Sequence, residues 1–330
     1  MTGSQRTASP GAGHAATGAS STGASSKGAA SNGAASKGAE VPELTHDFLA
    51  LSTRPVLKRK KPGQWVAMVL VGLMALMGIY IVFTNPGFGW GTVGKYLLDI
   101  RIMSGLLTTI ELTVIAMIIG FGVGLLVAVM RMSDNTLLRA VAAAYIWFFR
   151  GTPLLVQMLF WGFAAVLFPT VGLGIPGGPM LVEWNTNELL PLFVAGILGL
   201  GLNEGAYMAE IVRAGLLGVP AGQSEASHAM GFSRMETLRF VVIPQAMKII
   251  LPPVGNETIS MLKTTSLVIV IGVGDLLYNT QQIYAKNLQQ IPLLIVASIW
   301  YILLTTILSF VQARIEKRYS RGNALVAGRA

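Results

Sequence analysis

The sequence predicts an all-α integral membrane protein of about six transmembrane helices, with a polar helical element set between the fourth and the fifth. Three observations lead there. Hydrophobic residues make up 53% of the 330 residues and charged residues only 12%, where an ordinary soluble domain carries about a quarter. The apolar residues gather into runs long enough to cross a bilayer. The basic residues, which give a net charge of +9, cluster at the ends of those runs and form no stripe interleaved with aromatics. They therefore read as topology signals and exclude a nucleic-acid partner.

Residues 1–53 are rich in Gly, Ala, Ser and Thr, with near-repeats such as Ser-Ser-Lys-Gly-Ala-Ala. Such a composition cannot bury a core, so a disordered cytoplasmic tail is expected, serving either as an inert solvated extension or in regulation or headgroup binding. It is no signal peptide, because the first long apolar run begins only near Gln64. Residues 54–99 supply a basic flank (Arg54, Lys58, Arg59, Lys60, Lys61), a first span from Trp65 to Phe83 and an outer loop opened by Asn85-Pro86-Gly87. The flank marks the cytoplasmic side and keeps the N-terminus inside.

Residues 100–320 hold a core of five further spans. The second is expected from Leu106 to Met130, and the third within 140–168, beginning near Pro153 after an amphipathic lead-in over 136–149. A Gly/Pro-rich outer loop then runs from Pro169 to Pro191. The fourth span covers Leu192 to Leu217, the fifth Ile249 to Leu277 and the sixth Pro292 to Ala313, with a short cytoplasmic tail at 321–330. This arrangement leaves only Lys95, Arg101 and Lys286 outside and puts Arg131, Arg139, Arg150, Arg213, Arg234, Arg239, Lys248, Arg314, Lys317, Arg318, Arg321 and the basic residues of the N-terminal tail inside, so both termini are expected to be cytoplasmic.

Residues 220–245 stand apart from the spans around them. Pro220 suits a first helical turn, Gln223 to Met230 are good helix formers, and Gly231 is placed to end the helix in a left-handed conformation. Ser233 and Glu236 form a capping box for a second helix, which Pro244 is expected to end. The product is a bent pair of short helices, too short to be stable unless they lean on another surface. From composition alone the stretch reads as a capped loop helix between two spans.

Within this stretch Glu225-Ala226-Ser227, Gly231, Val241, Ile243 and Pro244 closely resemble the Glu-Ala-Ala signature of permease subunits in ATP-binding-cassette (ABC) importers. Serine for the second alanine and the Val/Ile pair are mild departures. Further motifs look like the polar amino acid branch, the histidine, glutamine, glutamate, arginine and opine permeases. These are Arg150-Gly151-Thr152-Pro153-Leu154-Leu155-Val156-Gln157, the stretch Ala206 to Arg213, Pro220 to Gln223, and Leu262 to Leu267, where Thr264 replaces a more usual acidic or amide residue. The resemblance covers about residues 100–320.

It implies a type I ABC importer permease fold in the cytoplasmic membrane of a prokaryote. It also implies an ATPase-coupling role for Glu225, Ala226, Ser227, Gly231 and Pro244. The implied partners are ABC ATPase subunits holding ATP and Mg, a second permease subunit identical or related to this one, an extracytoplasmic solute-binding protein, membrane lipid and an amino acid solute.

Polar residues within the spans are the other candidates. Glu204, Glu257 and Lys263 would each cost about 2.5 to 3.5 kcal/mol at the bilayer centre, so they should face protein or water. Asn203, Tyr207 and Glu210 share one face of span four, and Asn256, Ser260 and Lys263 one face of span five. Asn203, Glu204, Tyr207, Asn256, Glu257 and Ser260 are therefore candidates for a solute pathway. Arg150, Glu210, Arg213 and Lys263 read better as a structural polar network. The balance of acceptors over donors favours polar or basic amino acids.

No phosphate-binding glycine loop, nucleophile elbow or zinc-binding helix is present, so no ATP hydrolysis or other enzyme activity is expected of this chain. Cysteine is absent, and the three histidines (His14, His46 and His228) show no ligand spacing, so no metal or bound cofactor is expected. The alternative reading is an ion-coupled secondary transporter using membrane carboxylates such as Glu204 and Glu257.

Overall fold

The computed structural model describes residues 62–174 and 180–320. The tail over 1–53, its basic flank through Lys61 and the segment 321–330 lie outside the described residues. The first helix, α1 (Pro62–Thr84), is apolar on every side and exposed along nearly its whole length, the surface that a lipid-facing helix presents. A 3₁₀ turn over Pro86–Phe88, capped by Asn85, leads through left-handed Gly89 into α2 (Trp90–Tyr96). Asp99 then caps α3 (Ile100–Met132) by accepting from the Arg101 amide at 2.9 Å.

The third span differs from expectation. In place of one helix beginning near Pro153, α4 (Thr136–Gly151) and α5 (Leu154–Gly162) are separate helices, followed by the short α6 (Ala164–Leu167). Among the described residues five helices are long and apolar enough to cross a membrane, and neither α4 nor α5 is one of them. Pro153 causes the break. It has no N–H to offer the Phe149 carbonyl four residues back, and a carbonyl left bare in an apolar setting is costly. Two side-chain amides replace the missing donor: Gln157 Nε2 donates to Phe149 O at 3.0 Å and Asn203 Nδ2 donates to the same oxygen at 2.9 Å.

The outer loop also departs from an all-helical layout. Thr170–Gly174 (β1) and Met180–Asn185 (β2) form an antiparallel hairpin, pairing Val171 with Trp184 and Leu173 with Val182. β-branched and aromatic residues alternating with small or polar ones favour this pairing. After α7 (Thr186–Leu189) comes α8 (Leu192–Leu217), the most buried of the apolar helices.

Helix α8 packs on α3 more extensively than any other pair of elements do. Gly120 and Gly124 of α3 meet Gly201 and Gly205 of α8. A Cβ at Gly124 would sit 2.4 Å from Met208 Cβ and 2.9 Å from Ala209 N, and one at Gly120 would sit 2.7 Å from Glu204 Cγ. Small residues four apart on both helices let the backbones approach closely where no hydrophobic effect drives association. The two helices run parallel, since later residues of one meet later residues of the other.

Beyond α8 the chain forms α9 (Ala221–Ala229) and the single turn α10 (Arg234–Glu236). Pro244 does not end the helix that follows. A wide π turn over Thr237–Val242 carries α10 into α11 (Ile243–Thr264), and Ile243 N donates to Leu238 O, five residues back. Pro244 then occupies the first turn of α11, where its missing N–H costs little. Helical structure is thus continuous from Arg234 to Ile271, ending in a 3₁₀ stretch (Thr265–Ile271) at left-handed Gly272, short of the expected Leu277. Helices α12 (Leu276–Asn287) and α13 (Gln290–Ser320) complete the described chain.

Asp275, just beyond that span, is fully buried and staples α12 in place. Its Oδ1 accepts from Tyr278 N at 2.8 Å, and its Oδ2 lies 3.3 Å from the Tyr301 hydroxyl of α13. The neighbouring Leu276 N donates to Thr109 Oγ1 of α3 at 3.1 Å. Burial pushes the Asp275 carboxyl up to about 6.

Two outcomes are expected of this packing. Gly124→Ala should lower thermal stability in detergent by about 1 to 3 kcal/mol through overpacking, whereas Gly122→Ala, with open space around it, should behave as wild type. Because folding raises the Asp275 pKa above its ordinary 3.8, its ionisation costs stability: no cost below that value, a growing cost up to about 6, and a full cost above. Asp275→Asn keeps the cap but cannot ionise. Its melting temperature should therefore gain on wild type by several degrees between pH 4 and pH 7, and a constant difference would refute this.

Candidate functional site

The bent pair over 220–245 is a preformed, outward-facing knob. Gly231 has a φ of +87°, and its N–H donates to His228 O at 2.9 Å while Phe232 N donates to Ser227 O at 3.1 Å. Those two bonds satisfy the last carbonyls of α9 in a Schellman arrangement, which requires a left-handed residue at Gly231. The second helix starts at once: Ser233 N donates to Glu236 Oε2 at 2.9 Å and Glu236 N donates back to Ser233 Oγ at 3.3 Å.

The inside of the bend is also tied. Ser227 Oγ lies 2.9 Å from Thr237 Oγ1, and Gln245 Nε2 donates to Gln223 Oε1 at 3.2 Å. Ser227 is buried there, so its part is internal to the element, while Glu225, Ala226, Gly231 and Pro244 are exposed. Met230, Met235 and Phe240 are exposed beside them. These exposed apolar side chains were missed in the sequence, where three isolated large residues in a polar stretch carry no periodic signal.

The second group of candidates lies in the interior. Asn203 is buried and committed: besides Phe149 O, its Nδ2 donates to Gln157 Oε1 at 3.2 Å. Glu204 beside it is buried against Gly120, and its Oε1 has no hydrogen-bond partner. Across from it, Glu257 of α11 is half-buried and close enough for its charge to act on that of Glu204, with Arg150 the cation nearest in effect to Glu257. The Arg150 guanidinium lies 5.1 Å from the centre of the Tyr207 ring, a cation–π contact. Helices α4, α8 and α11 thus bring Arg150, Glu204, Tyr207 and Glu257 into one polar region.

Other predicted residues fall elsewhere. Glu210 pairs with Arg213 one turn along α8, Oε2 to Nη2 at 2.6 Å. Asn256 Oδ1 accepts from Gln312 Nε2 of α13 at 3.1 Å. Asn256, Ser260 and Lys263 form an exposed stripe on α11, and Lys263 makes no ion pair among the described residues. Gln157 emerges as a positioning residue. The only sequence signal for it was its place at the end of the Arg150 to Gln157 motif, four residues after a proline.

The family model for the binding-protein-dependent transport system inner membrane component matches residues 120–321. The arginine transport system permease protein ArgU of Corynebacterium glutamicum is 44% identical over 266 residues, 80% of this chain and 82% of the relative. The glutamine transport system permease protein GlnP of Escherichia coli K12 is 35% identical over 66% of this chain and 92% of its own length. The L-cystine transport system permease protein TcyB of Bacillus subtilis is 38% identical over 66% and 86%.

Among solved structures, an amino acid ABC transporter crystallised with histidines superposes with a TM-score of 0.56 at 38% identity, over 66% of this chain and 94% of that one. The MetNI methionine ABC transporter, at 21% identity and a TM-score of 0.54, shares the fold. These likenesses give no support to an ion-coupled carrier. The chain belongs to the binding-protein-dependent transport system inner membrane components and, within them, to the permease subunits of polar amino acid ABC importers.

Proposed function

We propose that this chain carries polar or basic amino acids inward across the cytoplasmic membrane of a prokaryote, alternating between outward-open and inward-open states as separate ABC ATPase subunits close and part. The observation that carries this reading is the knob at 220–245. It is exposed, locked by a Schellman turn and a capping box, and continuous through the π turn with α11. A rigid joint of this kind passes a push on the knob along a helix that bears Glu257. The ATPases hold ATP and Mg, and this chain binds neither. Both termini lie on the knob's side of the membrane.

The exposed stripe Asn256, Ser260 and Lys263 supports a second permease subunit, identical or related, because a stripe with an ammonium group facing lipid at mid-span would be costly. Solute delivery by an extracytoplasmic binding protein fits the family. The solute class follows from chemistry. An ammonium or guanidinium entering a low-dielectric region must exchange hydration for acceptors, and Glu204 Oε1 is a buried acceptor without a partner. The arginine, glutamine and cystine permeases among the relatives agree with polar and basic solutes.

Gly231→Val places a β-branched side chain at a φ of +87°, a strain of about 1 to 3 kcal/mol. The variant should remain in the membrane while solute-driven ATP turnover and uptake fall together by about tenfold or more, measured in proteoliposomes with the ATPase. Normal uptake would refute the coupling role. Glu204→Gln and Glu257→Gln should each raise the solute concentration for half-maximal uptake of arginine more than that of glutamine. Equal effects on both solutes would make these carboxylates scaffolding.

A further inference from the structure

The hairpin of β1 and β2 is used by neither the knob nor the polar interior, and one of its faces is bare. Val171 pairs with Trp184 and Leu173 with Val182. Side chains two apart in a strand share a face, so Val171, Val182 and Trp184 project together while Glu183 takes the other side. Val171 is 43% exposed, Val182 45% and Trp184 45%, so no described part of the chain covers them. The foot of the hairpin is fixed. Thr186 N donates to Pro169 O at 3.0 Å, and the buried Thr186 hydroxyl donates to Phe168 O.

The level of the hairpin follows from the helix directions. Helices α3 and α8 run parallel, Gly120 meeting Glu204 and Gly124 meeting Met208, and α8 leads into the 220–245 knob. The start of α8 is therefore at the opposite end of the bundle from the knob. Leu192, which opens α8, precedes Glu204 by twelve residues, and the same step back from Gly120 on α3 reaches Thr108. Glu111, three residues further in, is exposed, and a carboxylate facing hydrocarbon is costly, so the hydrocarbon extends no further out than Glu111. Leu192 thus stands about 5 Å outside that level, within a headgroup layer about 5 to 7 Å deep.

On the other flank, α6 brings exposed Val166, Leu167 and Phe168 up to the hairpin. The groove on that side, about 350 Å³, is lined from Val156 to Leu167 by apolar residues alone, the surface of a helix facing lipid. The bare face of the hairpin continues it. The stripe on α11, with Asn256, Ser260 and Lys263, offers a subunit polar contacts, and this face offers none.

Two constraints select the surrounding medium. A lone two-stranded hairpin is marginal in water, so its apolar face needs cover. Both strands are also edges, because the sheet has two strands, and their unpaired N–H and C=O groups cannot enter hydrocarbon. The boundary between headgroups and acyl chains meets both demands. Tryptophan is enriched there because its ring is apolar with a polar tip.

We propose that the hairpin lies flat on the outer leaflet, with Val171, Val182 and Trp184 sunk toward the acyl chains and Glu183 toward water, as a membrane anchor for the outer ends of α6 and α8. The partner is the lipid surface itself, and no headgroup charge is required, since the buried face carries none. The chain contains no cysteine, so a nitroxide label can be placed at one position at a time. Val171→Cys, Val182→Cys and Glu183→Cys are each labelled in the full chain, assembled with its ATPase in phosphatidylcholine vesicles. Collisions of the label with oxygen, which concentrates in hydrocarbon, are compared with those of a water-soluble nickel chelate.

The ratio of oxygen to nickel collisions should be severalfold higher at 171 and 182 than at 183. The two valine sites report on one face independently, so a label that disturbs the pairing at one leaves the other to decide. Equal ratios at all three positions put the hairpin in water and overturn the proposal. Low collision rates with both reagents at 171 and 182 mean that a protein covers this face, a second copy or the binding protein, and overturn it as well.

Discussion

The close approach of α3 and α8 is the constraint on which the rest depends. Glycines at 120, 124, 201 and 205 remove the side chains that would otherwise hold the two backbones apart, and neighbouring atoms already occupy the space a Cβ would need. Inside a bilayer no hydrophobic effect draws helices together, so van der Waals contact between closely fitted backbones has to supply the attraction. That contact sets the position of Glu204 against Gly120 and of Asn203 against the broken third span. It also sets the direction in which α8 delivers the chain to the knob. A shift of this seam would move Asn203 and Glu204.

Proline interrupts the helical hydrogen bonding at Pro153 and at Pro244, and the chain meets the two losses differently. At Pro153 two side-chain amides, from Gln157 and from the distant Asn203, cover the bare Phe149 carbonyl. At Pro244 the backbone widens into a π turn, so that the helix continues. The first solution locks α4, α5 and α8 to one another. The second keeps the knob and α11 in one continuous helix.

The two ends of the molecule are built on contrasting chemistry. The knob exposes Glu225 and the apolar Met230, Met235 and Phe240, with Ser227 and Thr237 buried inside its bend. The opposite end exposes Lys286 and the apolar Leu288. Surfaces so different suit different partners, and the region holding Glu204, Tyr207, Arg150 and Glu257 lies on the helices between them.

Composition, hydropathy and local signals determined the class and most of the elements: a membrane-embedded helical chain, the Gly231 turn, the Ser233 and Glu236 box, and the family signature. These are encoded within a few residues, because a left-handed glycine, a cap or an apolar run acts through its immediate neighbours. Only the tertiary structure decided which side chains answer which distant groups. Asn203 was a candidate for solute contact by helical spacing, yet its amide is spent on a carbonyl fifty-four residues away in sequence. Asp275 drew no notice in the sequence, yet it fastens α12 through Tyr301 on another helix. The π turn at Pro244 escaped local reading for the same reason. Proline rules state what the backbone loses there, but how the loss is met depends on what the helix must remain joined to.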